Sequence, residues 1–278
     1  MYFYIVDPTK LNQKNFERVQ NQLYSCLSEH RITGEVTRVT TLRTIPQLVE
    51  IAFSRGVKTL VAVGTDETLQ EVINSVKDRP ITLGYIPVME TELSRIFGLT
   101  DIESSAKTIA SRRVQQLDLG LVNNNWFFTN LSFGEPAAEQ NGFFSILKNS
   151  INLPVFEVKF SVDGKFSGMV EAVAGMVVNA RDNSSDSTKL ANPTDGILDI
   201  LLLPNMSSYK LWQYRKDLAS GCFEKIPGCS LMHLKKMEIS SPEGLPLKTG
   251  GKVITKTPAI IEILPKALKM IVGRERTF

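Results

Sequence analysis

Residues 1–122 alternate short β-branched runs, YFYIV, GEVTRVT, VKTLVAV and ITLGYIPV, with longer stretches whose apolar residues recur at helical spacing. Such an alternation predicts a parallel α/β sheet, because each parallel crossover needs a helix to carry the chain back. Phe16, Val19, Leu23 and Cys26 or Leu27 form one apolar stripe after Asn15. Thr44 can cap a second helix that carries Ile45, Leu48, Val49 and Ala52, and Leu69, Val72, Ile73 and Val76 form a third stripe. All of these residues read as core. From residue 123 the texture changes. WFFTNLSF, VFEVKFSV, EAVAGMVVNA, GILDILLLP, KKMEIS, AIIEILP and KALKMIVG follow one another with a single helix candidate, SYKLWQYRKDLAS, which predicts an antiparallel β domain. The expected organisation is therefore two domains, 1–122 and 123–278, with the last residues able to pack back on the first. A chain of 278 residues is long enough for two cores. RDNSSDSTKLANPT, between two of the strands, is too long for a simple hairpin and reads as a mobile or functional loop.

Bulk properties remove several function classes. With 42% hydrophobic and 22% charged residues the chain has ordinary globular composition, and no segment supplies the roughly 20 apolar residues of a spanning helix. Its three cysteines, Cys26, Cys222 and Cys229, are an odd number at no metal-like spacing, and the histidines, His30 and His233, stand apart. Neither a disulfide framework nor a zinc site is expected. A formal charge of +3 spread over dispersed Lys and Arg argues against a nucleic-acid partner. The opening MYFYIVDPTKLNQ lacks the basic and apolar regions of a signal peptide, so a cytoplasmic location is expected. Lys210, Trp212, Tyr214, Arg215 and Lys216 could meet an anionic membrane surface, although a helix covering a sheet explains them more simply. Peripheral membrane contact and a homodimer both stay open.

The stretch VAVGTDETLQEVINSV, residues 61–76, is a strand emptying into a helix. At such a point the helix N-terminus offers free N–H groups to phosphate, and glycines normally let the anion reach them. Only Gly64 is present; Thr65 and Glu67 occupy the space, and a carboxylate there repels a triphosphate unless Mg²⁺ lies between. On the residues alone, this is either a compromised phosphate site or an ordinary turn with Thr65 or Asp66 as helix cap.

Several stretches in order resemble the bacterial diacylglycerol kinase and sphingosine kinase catalytic family. Its G-G-D-G-T motif and following L-N-E-V-x-N-G fall on Gly64, Thr65, Asp66, Glu67 and Thr68, then Glu71, Val72 and Asn74. Asp66, Thr68, Glu71 and Asn74 match, whereas the second and fourth glycines are lost. LGYIPVMETELSRIFGL resembles the next signature, with Gly84, Ile86, Pro87, Arg95 and Gly98 in frame and Val88, Met89, Glu90, Thr91 and Glu92 in place of G-T-x-N-D. QLDLGLVNN retains the family's Asp at Asp118. FFTNLSFG, MVVNA, PTDGILDILLL and EILPKALKMIVG resemble its later strands, and Asp7-Pro8 stands where it has Asn-Pro.

The resemblance implies an NAD kinase-like α/β domain followed by an antiparallel β-sandwich, with ATP and a lipid meeting in the cleft between them. The implied chemistry is phosphoryl transfer to a lipid or other small hydroxyl substrate. Asp7, Gly64, Thr65, Asp66, Glu67, Thr68, Glu71 and Glu92 would then line the nucleotide side. Asp66, Glu92 and Asp118 would form the acidic network near Mg²⁺. Asp195 would fall at a structural Mg²⁺ site, although an Asp before glycine is equally a turn residue. The family's base, the glutamate of D-G-E six residues before a proline, becomes Lys252 of Gly250-Gly251-Lys252, counted from Pro258. A protonated lysine accepts no proton; it can contact a phosphate or stand solvated on a hairpin. The expectation is a divergent lipid kinase relative with weak or no transfer. The alternatives are an active kinase with a rearranged site, in which Asp66 or Asp118 replaces the base, and a non-enzymatic interaction protein on the same scaffold.

Overall fold

Five apolar residues, Tyr2–Val6, begin the chain as strand β1, and four of them are fully buried, as a strand covered on both faces must be. The computed structural model describes residues 1–9, 13–77, 79–134, 155–162, 166–182, 191–206, 208–214, 216–217, 222–240 and 243–278. They belong to two units. The first comprises Met1–Asp118, Arg181–Lys189 and Pro265–Phe278, and the second Leu119–Ala180 and Leu190–Leu264.

In the first unit β1 is followed by α1 (Gln13–Glu29), β2 (Gly34–Arg38), α2 (Ile45–Ser54), β3 (Thr59–Gly64), α3 (Asp66–Val76), β4 (Thr82–Pro87), α4 (Glu92–Phe97), α5 (Ile102–Ser111) and β5 (Val114–Val122). The strands β6 to β15, given below, belong to the second unit; β5 leaves the first unit after Asp118, and β16 (Ala259–Ile271) re-enters it at Pro265. Six of the eight strands described in this sheet run in the order β2-β1-β3-β4-β16-β5. β1 pairs in parallel with β2 and β3, β3 with β4, and the end of β16 with β4. Alternation along each strand sends Tyr4, Val6, Val61 and Val63 into one apolar cluster with Phe16, Val19 and Leu23 of α1 and Ala106 and Ile109 of α5. The opposite residues of β1, Phe3 and Ile5, are equally buried, and α2 and α3 pack together with Leu48, Val49, Leu69 and Val72 inside. Thr44 stands at the N-cap of α2, with Gln47 closing the box through a 3.0 Å bond from the Thr44 N–H.

The second unit is antiparallel. Its strands are β6 (Asn125–Phe127), β7 (Asn130–Phe133), β8 (Phe156–Val162), β9 (Phe166–Ala172), β10 (Ala174–Val178), β11 (Leu198–Leu203), β12 (Ser230–Leu234), β13 (Lys236–Ile239), β14 (Pro246–Thr249) and β15 (Lys252–Lys256), with α6 (Ser208–Gln213) and a short 3₁₀ turn, Phe223–Lys225. Six strands form one sheet in the order β12-β11-β10-β7-β14-β15, while β8 and β9 pair with each other. One face of the sheet sends Leu131, Phe133, Val177, Ile200 and Leu202 into the larger core; the other sends Met176, Val178, Leu201 and Leu203 into a smaller one.

Three strand expectations change. WFFTNLSF is two strands, because the Asn179 amide donates to Phe128 O (2.7 Å) and the Asn179 and Ala180 N–H groups to Thr129 O, drawing the backbone out of line. EAVAGMVVNA divides at Val173, where the chain leaves its pairing with β8 to pair with β11. AIIEILP and KALKMIVG, by contrast, are the single strand β16. Pro265 reads as a strand end, but the chain continues through Lys266 at φ +57°, whose N–H is taken by the Asp118 carboxylate instead of a ladder carbonyl. The middle of the polar loop, 183–190, together with Arg215 and the Trp212 side chain, lies outside the described residues. None of Cys26, Cys222 and Cys229 is joined in a disulfide. No helix among the described residues is long and apolar enough to cross a membrane.

Candidate functional site

In an open parallel sheet the polar business of the fold gathers where strands end, because helix N-termini and uncovered loops meet there. β1, β3 and β4 end level with one another: the Asp7 N–H donates to Val63 O (2.9 Å) and the Val88 N–H to Gly64 O (3.0 Å). Thr65 is the N-cap of α3, with Asp66 the first helical residue. Thr68, one turn on and buried, sends its hydroxyl back into the loop. Oγ1 accepts the Thr65 N–H (3.2 Å) and donates to Asp7 Oδ2 (2.8 Å), and Asp7 Oδ1 accepts the Thr9 N–H (3.0 Å). This explains the single glycine that the loop keeps. A Cβ on Gly64 would lie 2.9 Å from Thr68 Cβ and closer still to its hydroxyl, so any side chain there displaces the bridge.

Asp66 faces the other way. Its Oδ1 accepts the hydroxyl of buried Tyr85 (3.1 Å) and its Oδ2 the N–H of Leu93 (3.2 Å), in the first turn of α4. Burial, and then the charge of Asp66, push the Tyr85 phenol pKa up, so Tyr85 acts as a donor. α4 is capped at Thr91, whose Oγ1 accepts the Ser94 N–H (3.2 Å) while Ser94 Oγ accepts the Thr91 N–H (2.8 Å). Glu92 opens this helix beside Asp66. Burial raises its pKa most, the charges of Asp66 and Asp182 raise it further, and Arg95 and Arg181 oppose them. Arg95, one turn along, donates through Nε to Asp182 Oδ2 (2.6 Å) and through Nη1 to Glu90 Oε1 (3.2 Å).

The structure thus joins Asp7, Gly64, Thr65 and Thr68 in one network, and Asp66 and Glu92 in a second carried by α4. Asp118 is held separately: it is buried in β5, and its Oδ1 accepts the Lys266 N–H at 2.7 Å. Glu67 and Glu71 lie exposed on α3, and Asn74 bonds back to Gln70 O (3.1 Å).

In the second unit, Asp195 makes a tight turn. Its Oδ1 accepts the Ile197 N–H (3.0 Å), and Gly196 follows at φ +73°. Lys252 opens β15 on an exposed hairpin, opposite Thr249 across Gly250 and Gly251 at φ +53° and +77°. A two-residue turn with positive φ at both positions requires these glycines for the backbone alone. His233 meets Asp199 at 2.5 Å, and Asp199 also accepts the Ala191 N–H (2.6 Å). Among the described residues no group of three or more His, Cys, Asp or Glu side chains is arranged to hold a metal ion.

Tyr85, Arg181 and Asp182 lie outside the residues expected from the sequence, where Arg95 stands only as part of a motif frame. Arg181 and Asp182 open the polar loop that its length had marked out, but Tyr85 inside an apolar strand carries no signal.

Residues 2–122 match the diacylglycerol kinase catalytic domain and residues 153–272 the YegS C-terminal NAD kinase beta sandwich-like domain. A diacylglycerol kinase of Staphylococcus aureus (strain bovine RF122 / ET3-1) is 24% identical over 237 residues, which is 76% of this chain and 73% of that protein. Among solved structures, a diacylglycerol kinase from Bacillus anthracis str. Sterne superposes with a TM-score of 0.80 at 22% identity, covering 98% of this chain and 97% of that one. An NAD kinase from Archaeoglobus fulgidus in complex with ATP gives 0.58 at 14% identity over 100% and 96%. At these identities the structural likeness establishes the NAD kinase-like fold and its β-sandwich partner.

Proposed function

The chain belongs to the diacylglycerol kinase family of lipid kinases, and from that premise we propose that it is a divergent member in which transfer of phosphate from ATP to a lipid hydroxyl is weak or absent. Residues 1–122 are read as the nucleotide-binding type of domain and 123–278 as the lipid kinase type of β-sandwich. The protein would work from the cytoplasmic side on an acceptor at the membrane surface, with a peripheral contact there.

The observation that carries the proposal is the inward bonding of the β3–α3 loop. The Thr65 N–H is already taken by Thr68 Oγ1, and each Asp66 oxygen accepts a donor from the fold. Glu67 adds an exposed carboxylate to the helix turn that a phosphate would approach. The cap donor of the loop is therefore spent within the fold and Glu67 stands where a triphosphate would approach, so the loop fits a triphosphate with its Mg²⁺ poorly. The lysine at the position of the family's glutamate works in the same direction, since it removes the carboxylate that would take the hydroxyl proton.

A second reading, an active kinase with a rearranged site, has one observation in its favour. Glu92, its pKa raised by burial and by the charges of Asp66 and Asp182, is a carboxylate tuned toward proton exchange.

Transfer of radiolabelled phosphate from ATP to diacylglycerol in mixed phospholipid vesicles distinguishes the two. Wild type should stay at background and the T65G/E67G/K252E protein should rise above it. A wild-type rate within the usual kinase range of about 1–100 s⁻¹ would overturn the proposal and establish the rearranged site.

A further inference from the structure

The segment that follows β16 does more than end the first unit. Gly273 donates its N–H to Phe97 O (2.8 Å) and Thr277 its N–H to Ile96 O (3.2 Å), so the segment supplies donors to the last carbonyls of α4. Those carbonyls are the ones a helix leaves unpaired at its C-terminus. The fit is close because two glycines face each other. Gly98, the left-handed C-cap of α4 at φ +64°, would carry a Cβ only 2.8 Å from Arg276 N and 2.9 Å from Glu275 C; a Cβ on Gly273 would overlap Gly98 O. The Thr277 hydroxyl also reaches Arg181 O in a longer contact of 3.5 Å.

α4 has only six residues, too few to hold itself as a helix. It is fixed at its N-terminal end by Asp66, which takes the Leu93 N–H, and at its C-terminal end by the segment 273–277. Between these two anchors it presents Glu92 and Arg95, the latter bonded to Asp182 next to the Arg181 backbone that Thr277 touches.

We infer that residues 273–277 act as a positioning strap, whose docking on Ile96, Phe97 and Gly98 holds Glu92 and the Arg95–Asp182 pair in place. This role does not depend on whether the chain transfers phosphate, since it concerns the order of α4 in the protein alone.

The test is amide hydrogen exchange of the full chain, read with the ¹⁵N signal of the Arg95 Nε–H, in wild type, Thr277→Pro and Gly273→Ala, with exposed Arg274→Ala as control. Thr277→Pro removes one donor to α4, and Gly273→Ala pushes the strap off Gly98. In each strap variant, exchange of the α4 amides should rise about tenfold or more while β1 and β3 stay protected, and the Arg95 Nε–H should lose its bonded shift. The control should match wild type. Unchanged α4 protection in both strap variants would overturn the inference. So would an equal rise across β1, β3 and α4, which would mean that the segment supports the unit as a whole. If Thr277→Pro does not fold, Gly273→Ala carries the same comparison.

Discussion

The β3–α3 loop and the β14–β15 hairpin both depart from the family's signatures, and they depart differently. In the loop, Thr65 and Glu67 stand at two of the family's glycine positions and the neighbouring motif residues are bonded into the fold: Thr68 bridges Thr65 to Asp7, and Asp66 ties Tyr85 to α4. In the hairpin, Gly250 and Gly251 persist because the turn needs them, while the residue that follows, Lys252, stands exposed. A motif residue can therefore survive because the fold uses it, with no bearing on chemistry. Gly64, Asp66 and Thr68 are structural parts of the loop whatever the loop binds.

The contrast is broken most directly at Gly64. Gly64→Val should cost about 1–3 kcal/mol or more in denaturant unfolding, because its branches must displace the buried Thr68 side chain; a loss below about 0.5 kcal/mol would mean the bridge yields freely. Asp66→Ala comes next. It leaves the Leu93 N–H without this acceptor and the buried Tyr85 hydroxyl with its longer contact to Gly64 O (3.4 Å), so a loss of about 1–3 kcal/mol is expected in the same assay.

Glu92→Gln should act in the opposite direction and only at higher pH. Because the folded state raises the Glu92 pKa, the stability that its neutral form contributes is present below the ordinary glutamate range and is lost as pH rises through the folded value. Gln stays neutral throughout, so the variant's Tm should exceed wild type in mildly alkaline buffer and match it in acid. The smallest effect belongs to the hairpin. Lys252→Glu should change stability by less than about 0.5 kcal/mol, and a larger loss would show that the lysine is embedded in the fold after all.

These expectations also mark how far the sequence could be read. The alternation in the first 122 residues is legible because β1, β3 and β4 are buried on both faces and so are mostly apolar. The strand-to-helix turn is legible from Gly64, and Asp66 from its place after it. The partners of these residues are not, because they arrive through tertiary structure. Arg95 and Asp182 are 87 positions apart, and Lys266 and Asp118 are 148 apart. No local pattern announces that a tyrosine in an apolar strand will cap a carboxylate, or that Pro265 lies inside one strand instead of between two. The strap on α4 is invisible for the same reason, since its donors are backbone N–H groups that every residue but proline carries.

Calorimetric titration of Mg²⁺-ATP into the purified protein, beside the T65G/E67G variant, tests the central claim that the loop's polar groups are spent on the fold. Wild type should show no saturation in the micromolar range, and binding should become measurably tighter once the glycines are restored. Saturable micromolar binding by wild type that disappears in Asp66→Ala would contradict that claim and make the loop a working nucleotide site.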